Sequence, residues 1–489
     1  MNSNFNLKLI LKIQGSLMLV ESIFLLSAFV VSLFYSESEG IYFLYAAGIG
    51  LILGLTGILA GRKANPVIGK REGSVIVTLT WLLFSLLGML PFLFSGSITS
   101  IPDAFFETMS GFTTTGASIL NNIEELPYSI LYWRSMTHWI GGLGIIVISM
   151  ALLPIFGFSG MQIFSAEATG PTKDKIHSKI SETAKRLLAI YIILTISEIA
   201  LLRFAGMTWF DAVCHSFGTI ATGGFSTKQA SIGHYNSPFI EYIIIFFMIF
   251  SGVNFALYYF LVKFKVYKVW KNEELRVFFV LVLLFSLFLM LSQINFSEKI
   301  SWLLIENYIR NGLFVTAATI STTGFVTVDY NLWPPFTWYF ILILMLIGSS
   351  AGSTAGGMKI VRVLLVFKYT YYEFKRFIHP NAVFPVRYNQ HLVGDEVIAR
   401  VLAFTLLYFI IIFAGSTLLS ISGLGYIESF SGMITCLSDV GPGLGNIGPA
   451  YNFAHLPDIS KLFLSIIMLI GRLEIFTVLL IFTPVFWKR

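Results

Sequence analysis

Ten apolar stretches, near 14–35, 41–60, 74–96, 129–156, 186–206, 238–262, 277–297, 336–365, 397–421 and 462–486, run the length of this chain. A helix crossing the hydrocarbon core of a bilayer needs about 20 mostly apolar residues, and each stretch supplies them. Lipid offers no water to backbone N–H and C=O groups, so such a chain must satisfy them internally, as helices. Composition agrees: 56% of the 489 residues are hydrophobic and 12% are charged, against roughly 25% charged in soluble domains. That balance excludes a soluble multidomain enzyme, and it excludes disorder, which needs low hydrophobicity and high charge. The first stretch follows Lys8 and Lys12 as a signal peptide would. Its apolar run is too long and no small-residue cleavage site closes it, so a retained first helix is expected. Two cysteines, Cys214 and Cys436, and seven scattered histidines give neither a disulfide framework nor a zinc-ligand spacing.

Basic residues set the expected topology. The N-terminus, 61–72, 157–187, 263–276, 357–400 and the C-terminus hold 25 of the 32 Lys and Arg; the alternate loops hold six. Cytoplasmic loops concentrate Lys and Arg, so both termini are expected in the cytoplasm, as ten crossings require. The same rule accounts for the net charge of +6 without nucleic acid. Lys173, Lys175, Lys179, Lys185 and Arg186 then mark a cytoplasmic face, suited equally to topology signalling and to partner docking.

The outward loops are too apolar for water and too broken to span. Four of their segments align on one glycine each: 103–118 (DAFFETMSGFTTTGAS) on Gly116, 210–226 (FDAVCHSFGTIATGGFS) on Gly223, 311–327 (NGLFVTAATISTTGFVT) on Gly324, and 428–445 (ESFSGMITCLSDVGPGLG) on Gly441. Each has about ten helix-compatible residues, a short polar stretch and then the glycine, and each lies between two apolar spans. Non-helical backbone at membrane depth survives only when buried in protein or lining a water-filled path. Glycine permits positive φ, which lets neighbouring carbonyls point the same way. Four such strands around one axis can replace the hydration shell of a monovalent cation. The expected fold is all-α and integral to the membrane: ten transmembrane helices with four re-entrant pore segments. Residues 1–70 would form a two-helix extension, and 71–158, 159–266, 267–390 and 391–489 four pseudo-symmetric pore repeats.

These segments, with WIGGLGIIVISMALLP at 139–154, SAEATGPTKDKI at 165–176, IATGGFST at 220–227 and GSSAGSTAGGMKI at 348–360, resemble the Trk/Ktr/HKT superfamily of potassium transporters. The likeness is closest to the bacterial TrkH/TrkG branch, which has the two extra N-terminal helices. It implies potassium uptake across the cytoplasmic (inner) membrane, a homodimer with one pore per protomer, and a TrkA-like cytoplasmic regulatory subunit that carries the nucleotide. It implies K+ as the transported ion, with no cofactor on this chain. Backbone carbonyls just before the filter glycines would line the ion site: Thr114 and Thr115, Ala221 and Thr222, Thr322 and Thr323, Asp439 and Val440. Sodium-preferring plant relatives carry serine at the first filter glycine, so Gly116 favours potassium. The fourth segment usually carries asparagine where this chain has Asp439. One glycine stands where tetrameric potassium channels have TVGYG, so weaker discrimination against sodium is expected.

Residues 348–357, GSSAGSTAGG, interrupt an apolar span with four glycines: Gly348, Gly352, Gly356 and Gly357. Small residues serve close helix packing, yet this cluster is too dense for one seam. The resemblance implies an intramembrane loop there that obstructs the cytoplasmic side of the filter. Arg472 lies inside the last span, where a charge is expensive and marks a functional site. Glu474, two residues away, is poorly placed to pair with it on a helix. Arg472 is expected under the filter, on carbonyls of the 348–357 loop, in space a cation would take. Asp103, Glu107, Asp211 and Glu428 flank the pore segments and suit either field focusing or ordinary capping. A cation-coupled (H+ or Na+) secondary transporter would instead show inverted halves and paired intramembrane charges. A membrane enzyme would need His, Asp or Glu constellations at one membrane face, and the sequence shows none.

Overall fold

The computed structural model describes residues 5–65, 69–142, 144, 180–294 and 301–487. The segments 145–154 and 165–176, with Lys173, Lys175 and Lys179, lie outside the described residues. Among the described residues, six helices are long and apolar enough to cross a membrane: Leu7–Phe34, Gly40–Ala60, Arg71–Phe94, Lys185–Phe204, Glu273–Ser292 and Asp395–Ile421.

Two further spans read as continuous in the sequence are bent. Pro238–Ser251 and Phe255–Val262 meet at 99°, and Asp458–Arg472 and Ile475–Phe482 meet at 114°. The first break falls on Gly252–Asn254, where the Asn254 side chain caps the new helix by accepting from Ala256 N–H. The second falls on Leu473–Glu474, with Glu474 at φ +57°. The span expected at 336–365 is also two helices, Phe336–Ile347 and Ile360–Ile378, separated by the glycine-rich loop. The long helix that follows the second, third and fourth glycine segments is thus broken, and the 348–357 loop is the largest of these breaks.

Large apolar side chains such as Ile23, Ile52, Leu283, Leu406 and Phe413 are exposed on the outer helices, while the interior combines large apolar clusters with many buried Thr and Ser. An apolar outer surface suits lipid as solvent. The first two helices pack closely through small residues: a Cβ on Gly15 would lie 2.5 Å from the Gly54 carbonyl oxygen.

Four shorter helices, of 12, 12, 19 and 13 residues, lead into the glycine segments: Ile101–Phe112, Trp209–Ile220, Trp302–Ile320 and Tyr426–Ser438. Proline in the first turn starts Ile101–Phe112, and the Thr208 hydroxyl caps Trp209–Ile220 by accepting from Asp211 N–H at 3.0 Å. Each packs against the helix that follows the preceding segment. Tyr128–Gly142 meets Trp209–Ile220, Pro238–Ser251 meets Trp302–Ile320, Phe336–Ile347 meets Tyr426–Ser438, and Asp458–Arg472 returns to Ile101–Phe112. The last contact closes a ring. A two-stranded hairpin, Arg387–Tyr388 with His391–Leu392, follows helix Ile360–Ile378; the sequence reading held no strand.

Candidate functional site

All four short helices end alike. Thr114, Thr222, Thr322 and Asp439 take left-handed φ of 56°, 57°, 55° and 54°. The next residue then donates its N–H back to the carbonyl five residues earlier: Thr115 to Ser110, Gly223 to Gly218, Thr323 to Ala318 and Val440 to Thr435, at 2.8–3.0 Å. This is the Schellman closure, which normally places glycine at the left-handed position. A β-branched residue there is an outlier, and strain of about 1–3 kcal/mol at such positions persists only where the surroundings enforce it. Next come Gly116, Gly224, Gly324 and Gly441, with φ of 81°, 79°, 73° and 106°. Left-handed backbone therefore alternates with ordinary backbone over three residues in every segment, which lets successive carbonyls face one side.

This pattern corrects the expected register of the second segment. The counterpart of Gly116 is Gly224, not Gly223, and the residue matching Thr115 is Gly223. Ala221 takes the place of Thr113 and Ser321, the residues that cap the helix ends. The sequence offers two adjacent glycines, and nothing local says which one takes the positive φ.

The four segments meet. A Cβ on Gly116 would collide with the carbonyl oxygen of Gly223, one on Gly224 with that of Thr323, and one on Gly324 with that of Val440. A Cβ on Gly441 would lie 2.8 Å from the Thr115 oxygen. Each glycine abuts the central carbonyl of the next segment, and the fourth abuts the first.

Buried polar contacts brace this ring from outside. Arg134 Nε donates to Glu107 Oε1 at 2.6 Å, its Nη1 to the Ser226 carbonyl at 2.8 Å, and its guanidinium lies over the Phe225 ring at 3.6 Å. Glu107 also accepts from Ile119 N–H at 2.8 Å and Ser118 Oγ at 3.0 Å. One ion pair thus ties the first helix to the strand leaving its own glycine and to the strand leaving the next. Asp211 accepts from the hydroxyls of Thr208 and Thr227, Asp103 pairs with Lys461 at 2.5 Å, and the Glu428 side chain accepts from Asn446. These acids are engaged in scaffold contacts. The sequence showed Arg134 only as an outer-loop charge.

The 348–357 loop lies beneath the ring. Gly348, Gly352 and Gly357 have positive φ, as does Lys359. Gly356 N–H donates to Thr322 Oγ1 at 2.7 Å, and a Cβ on Gly356 would collide with the Ser438 carbonyl. Ser349 Oγ donates to the Ile320 carbonyl at 2.7 Å and Thr354 Oγ1 to that of Ile220 at 3.1 Å. Those oxygens end two of the short helices, where the partial negative charge would otherwise face a cation.

Arg472 completes the floor. Its Nη1 donates to the Thr354 carbonyl at 2.7 Å, and its Nη2 to the carbonyls of Gly141 at 2.5 Å and Gly142 at 3.1 Å. Glu474 faces Arg362 instead, accepting from Nη2 at 2.8 Å through both oxygens. The loop has a further anchor that sequence reading missed: Glu274 Oε1 accepts from Ala351 N–H at 2.8 Å and Val361 N–H at 3.2 Å, and Oε2 from the Tyr388 hydroxyl of the hairpin at 3.3 Å. Its partners are 77 or more residues away, so no local signal announces it.

A helical membrane protein whose polar interior is a closed ring of four glycine-broken segments, floored by a loop and a guanidinium, has the architecture of a cation-conducting protein. The chain belongs to the TrkH family, described as cation transport proteins, whose model matches residues 51–489. It is 39% identical to the Trk system potassium uptake protein TrkH of Escherichia coli K12, over 98% of this chain and 99% of that one. It is 34% identical to TrkG of the same organism, over 97% of both. The crystal structure of the potassium transporter TrkH from Vibrio parahaemolyticus superposes with a TM-score of 0.88 at 35% identity, covering 99% and 100% of the two chains.

Proposed function

We propose that this chain is the multi-pass, inner-membrane subunit of a Trk potassium uptake system, a transport protein and not an enzyme. The observation that carries this reading is the closed ring in which each filter glycine abuts a carbonyl of its neighbour. Full-length likeness to Trk potassium uptake proteins supports it. Ten crossings, cytoplasmic termini and four re-entrant segments, in repeats bounded as 71–158, 159–266, 267–390 and 391–489 behind the extension 1–70, follow from the hydropathy and charge pattern.

In this reading potassium sheds water onto backbone carbonyls of Thr114 and Thr115, Thr222 and Gly223, Thr322 and Thr323, Asp439 and Val440. Carbonyl dipoles at close range replace the lost hydration shell. The loop with Gly348, Gly352, Gly356 and Gly357 closes the inner side by seating donors on helix-end carbonyls, and Arg472 holds cation space with a fixed charge. Opening requires both to leave. The family resemblance favours a homodimer and a TrkA-like cytoplasmic subunit that binds the nucleotide.

The test is uptake of rubidium-86 into liposomes holding the purified chain, comparing the wild type with Gly116→Ser. Uptake inhibited by K+ well below the Na+ concentration needed, and lost in the variant, supports the reading. Absence of cation uptake by the wild type overturns it.

A further inference from the structure

The ring of left-handed residues that ends the four short helices is chemically uneven. Three corners, Thr114, Thr222 and Thr322, carry a hydroxyl; the fourth, Asp439, carries a carboxyl group at the same φ. Asp439 is fully buried. Its Oδ1 accepts from Thr115 Oγ1 at 2.9 Å, a hydroxyl on the very residue whose carbonyl abuts Gly441. Its Oδ2 has no hydrogen-bond partner among the described residues. Two glycines approach it closely: a Cβ on Gly471 would lie 3.3 Å from Oδ2, and one on Gly356 3.0 Å from the Asp439 Cβ. The carboxyl group therefore sits where the fourth segment, the 348–357 loop and the Arg472-bearing helix meet. No basic side chain lies within ion-pair distance of it among the described residues.

A buried carboxylate is costly unless a cation compensates it. Arg472 and Lys359 act on this carboxyl group only from beyond ion-pair distance. Arg472 is committed to three carbonyls, Lys359 donates to the Ala355 carbonyl, and Arg362 pairs with Glu474. A close counter-cation is what this position lacks among the described residues, and the ring conducts one. We propose that Asp439 is a specificity-determining residue, supplying one charged oxygen ligand to a monovalent-cation site at the inner end of the filter. This inference rests on the potassium-uptake reading and deepens it. A full charge attracts a small ion more strongly than a carbonyl dipole does, because attraction rises as the separation falls. Lithium and sodium gain more from that closer approach than potassium. Such a site shifts the filter toward small ions relative to a ring of neutral ligands.

The experiment is competition of Li+, Na+ and K+ against rubidium-86 uptake by the full chain in liposomes. Asp439→Asn keeps the size and removes the charge. It should raise the half-inhibiting concentrations of Li+ and Na+, relative to that of K+, by fivefold or more. Thr115→Val removes the hydroxyl that draws on the carboxylate and should move the same ratio the opposite way, by about twofold. An unchanged ratio in Asp439→Asn overturns the proposal, as does a shift of the same sign in both variants. Where Asp439→Asn does not fold, Thr115→Val decides alone: an unchanged or raised ratio overturns the proposal. A wild type that takes up no rubidium refutes the uptake reading itself, a distinct outcome under which the proposal also falls.

Discussion

Arg472, the last residue of its helix, donates from Nη1 to the carbonyl oxygen of Thr354 at 2.7 Å, 118 residues earlier in the chain. The contact exists because the helix stops there and the chain turns by 114° into Ile475–Phe482. A continuous helix would have kept the guanidinium on its flank.

Removing that charge should open the floor. Arg472→Ala is expected to raise rubidium-86 uptake fivefold or more in liposomes lacking any cytoplasmic partner. Arg472→Lys should fall between the two, since an ammonium lacks the fork that spans three carbonyls. Uptake equal to or below the wild type in Arg472→Ala would count against a closing role.

The register of the second segment makes a separate prediction. Gly224 carries φ +79° and faces the Thr323 carbonyl, whereas Gly223 has ordinary φ and faces the ring of His138. Gly224→Ala combines left-handed strain of about 1–2 kcal/mol with a clash against backbone, so rubidium uptake should drop at least tenfold. Gly116→Ser meets the same two obstacles and should behave alike. Retention of wild-type uptake and K+ preference by Gly224→Ala would return the anchor to Gly223.

The Arg134–Glu107 pair should show its value in a double-mutant cycle. Both side chains are almost wholly buried, and removing one partner of such a pair typically costs about 3–5 kcal/mol, because the survivor is left uncompensated. Arg134→Met is therefore expected to lower the thermal midpoint in detergent strongly. Adding Glu107→Gln should recover part of that loss. Strictly additive losses would mean the two residues act independently.

Glu274 ties Ala351 of the 348–357 loop to Val361 at the start of the helix that follows it and, through Tyr388, to the hairpin. Glu274→Gln leaves the size unchanged and weakens acceptance from the Ala351 and Val361 N–H groups, charge-assisted bonds being roughly twice as strong as neutral ones. A looser floor should raise uptake about twofold without a partner subunit, and Tyr388→Phe should raise it less. Lower uptake in Glu274→Gln would show that the anchor favours an open loop.

Much of this protein was legible in its sequence because the signals are local. A bilayer demands continuous apolar length, so the spans declare themselves, and broken backbone at depth needs glycine, so Gly116, Gly324 and Gly441 stood out. The density of glycine at 348–357 and the isolated Arg472 were visible for the same reason. Long-range pairings were not. Arg134 lies 27 residues from Glu107, Ala351 77 from Glu274 and Arg362 112 from Glu474, and nothing local in the sequence names such partners. The bends at Gly252–Asn254 and Leu473–Glu474 were equally hidden, since each is a break of two or three residues inside a long apolar stretch.

Sequence by itself determined that the chain crosses a membrane many times and breaks its backbone four times in matching fashion, because hydropathy and glycine placement act within a few residues. Tertiary structure decided which glycine of the pair 223–224 turns left-handed, that the fourth segment closes on the first, and where Arg472 puts its charge. Those outcomes depend on carbonyls and side chains delivered by distant parts of the chain, and only packing brings them within reach.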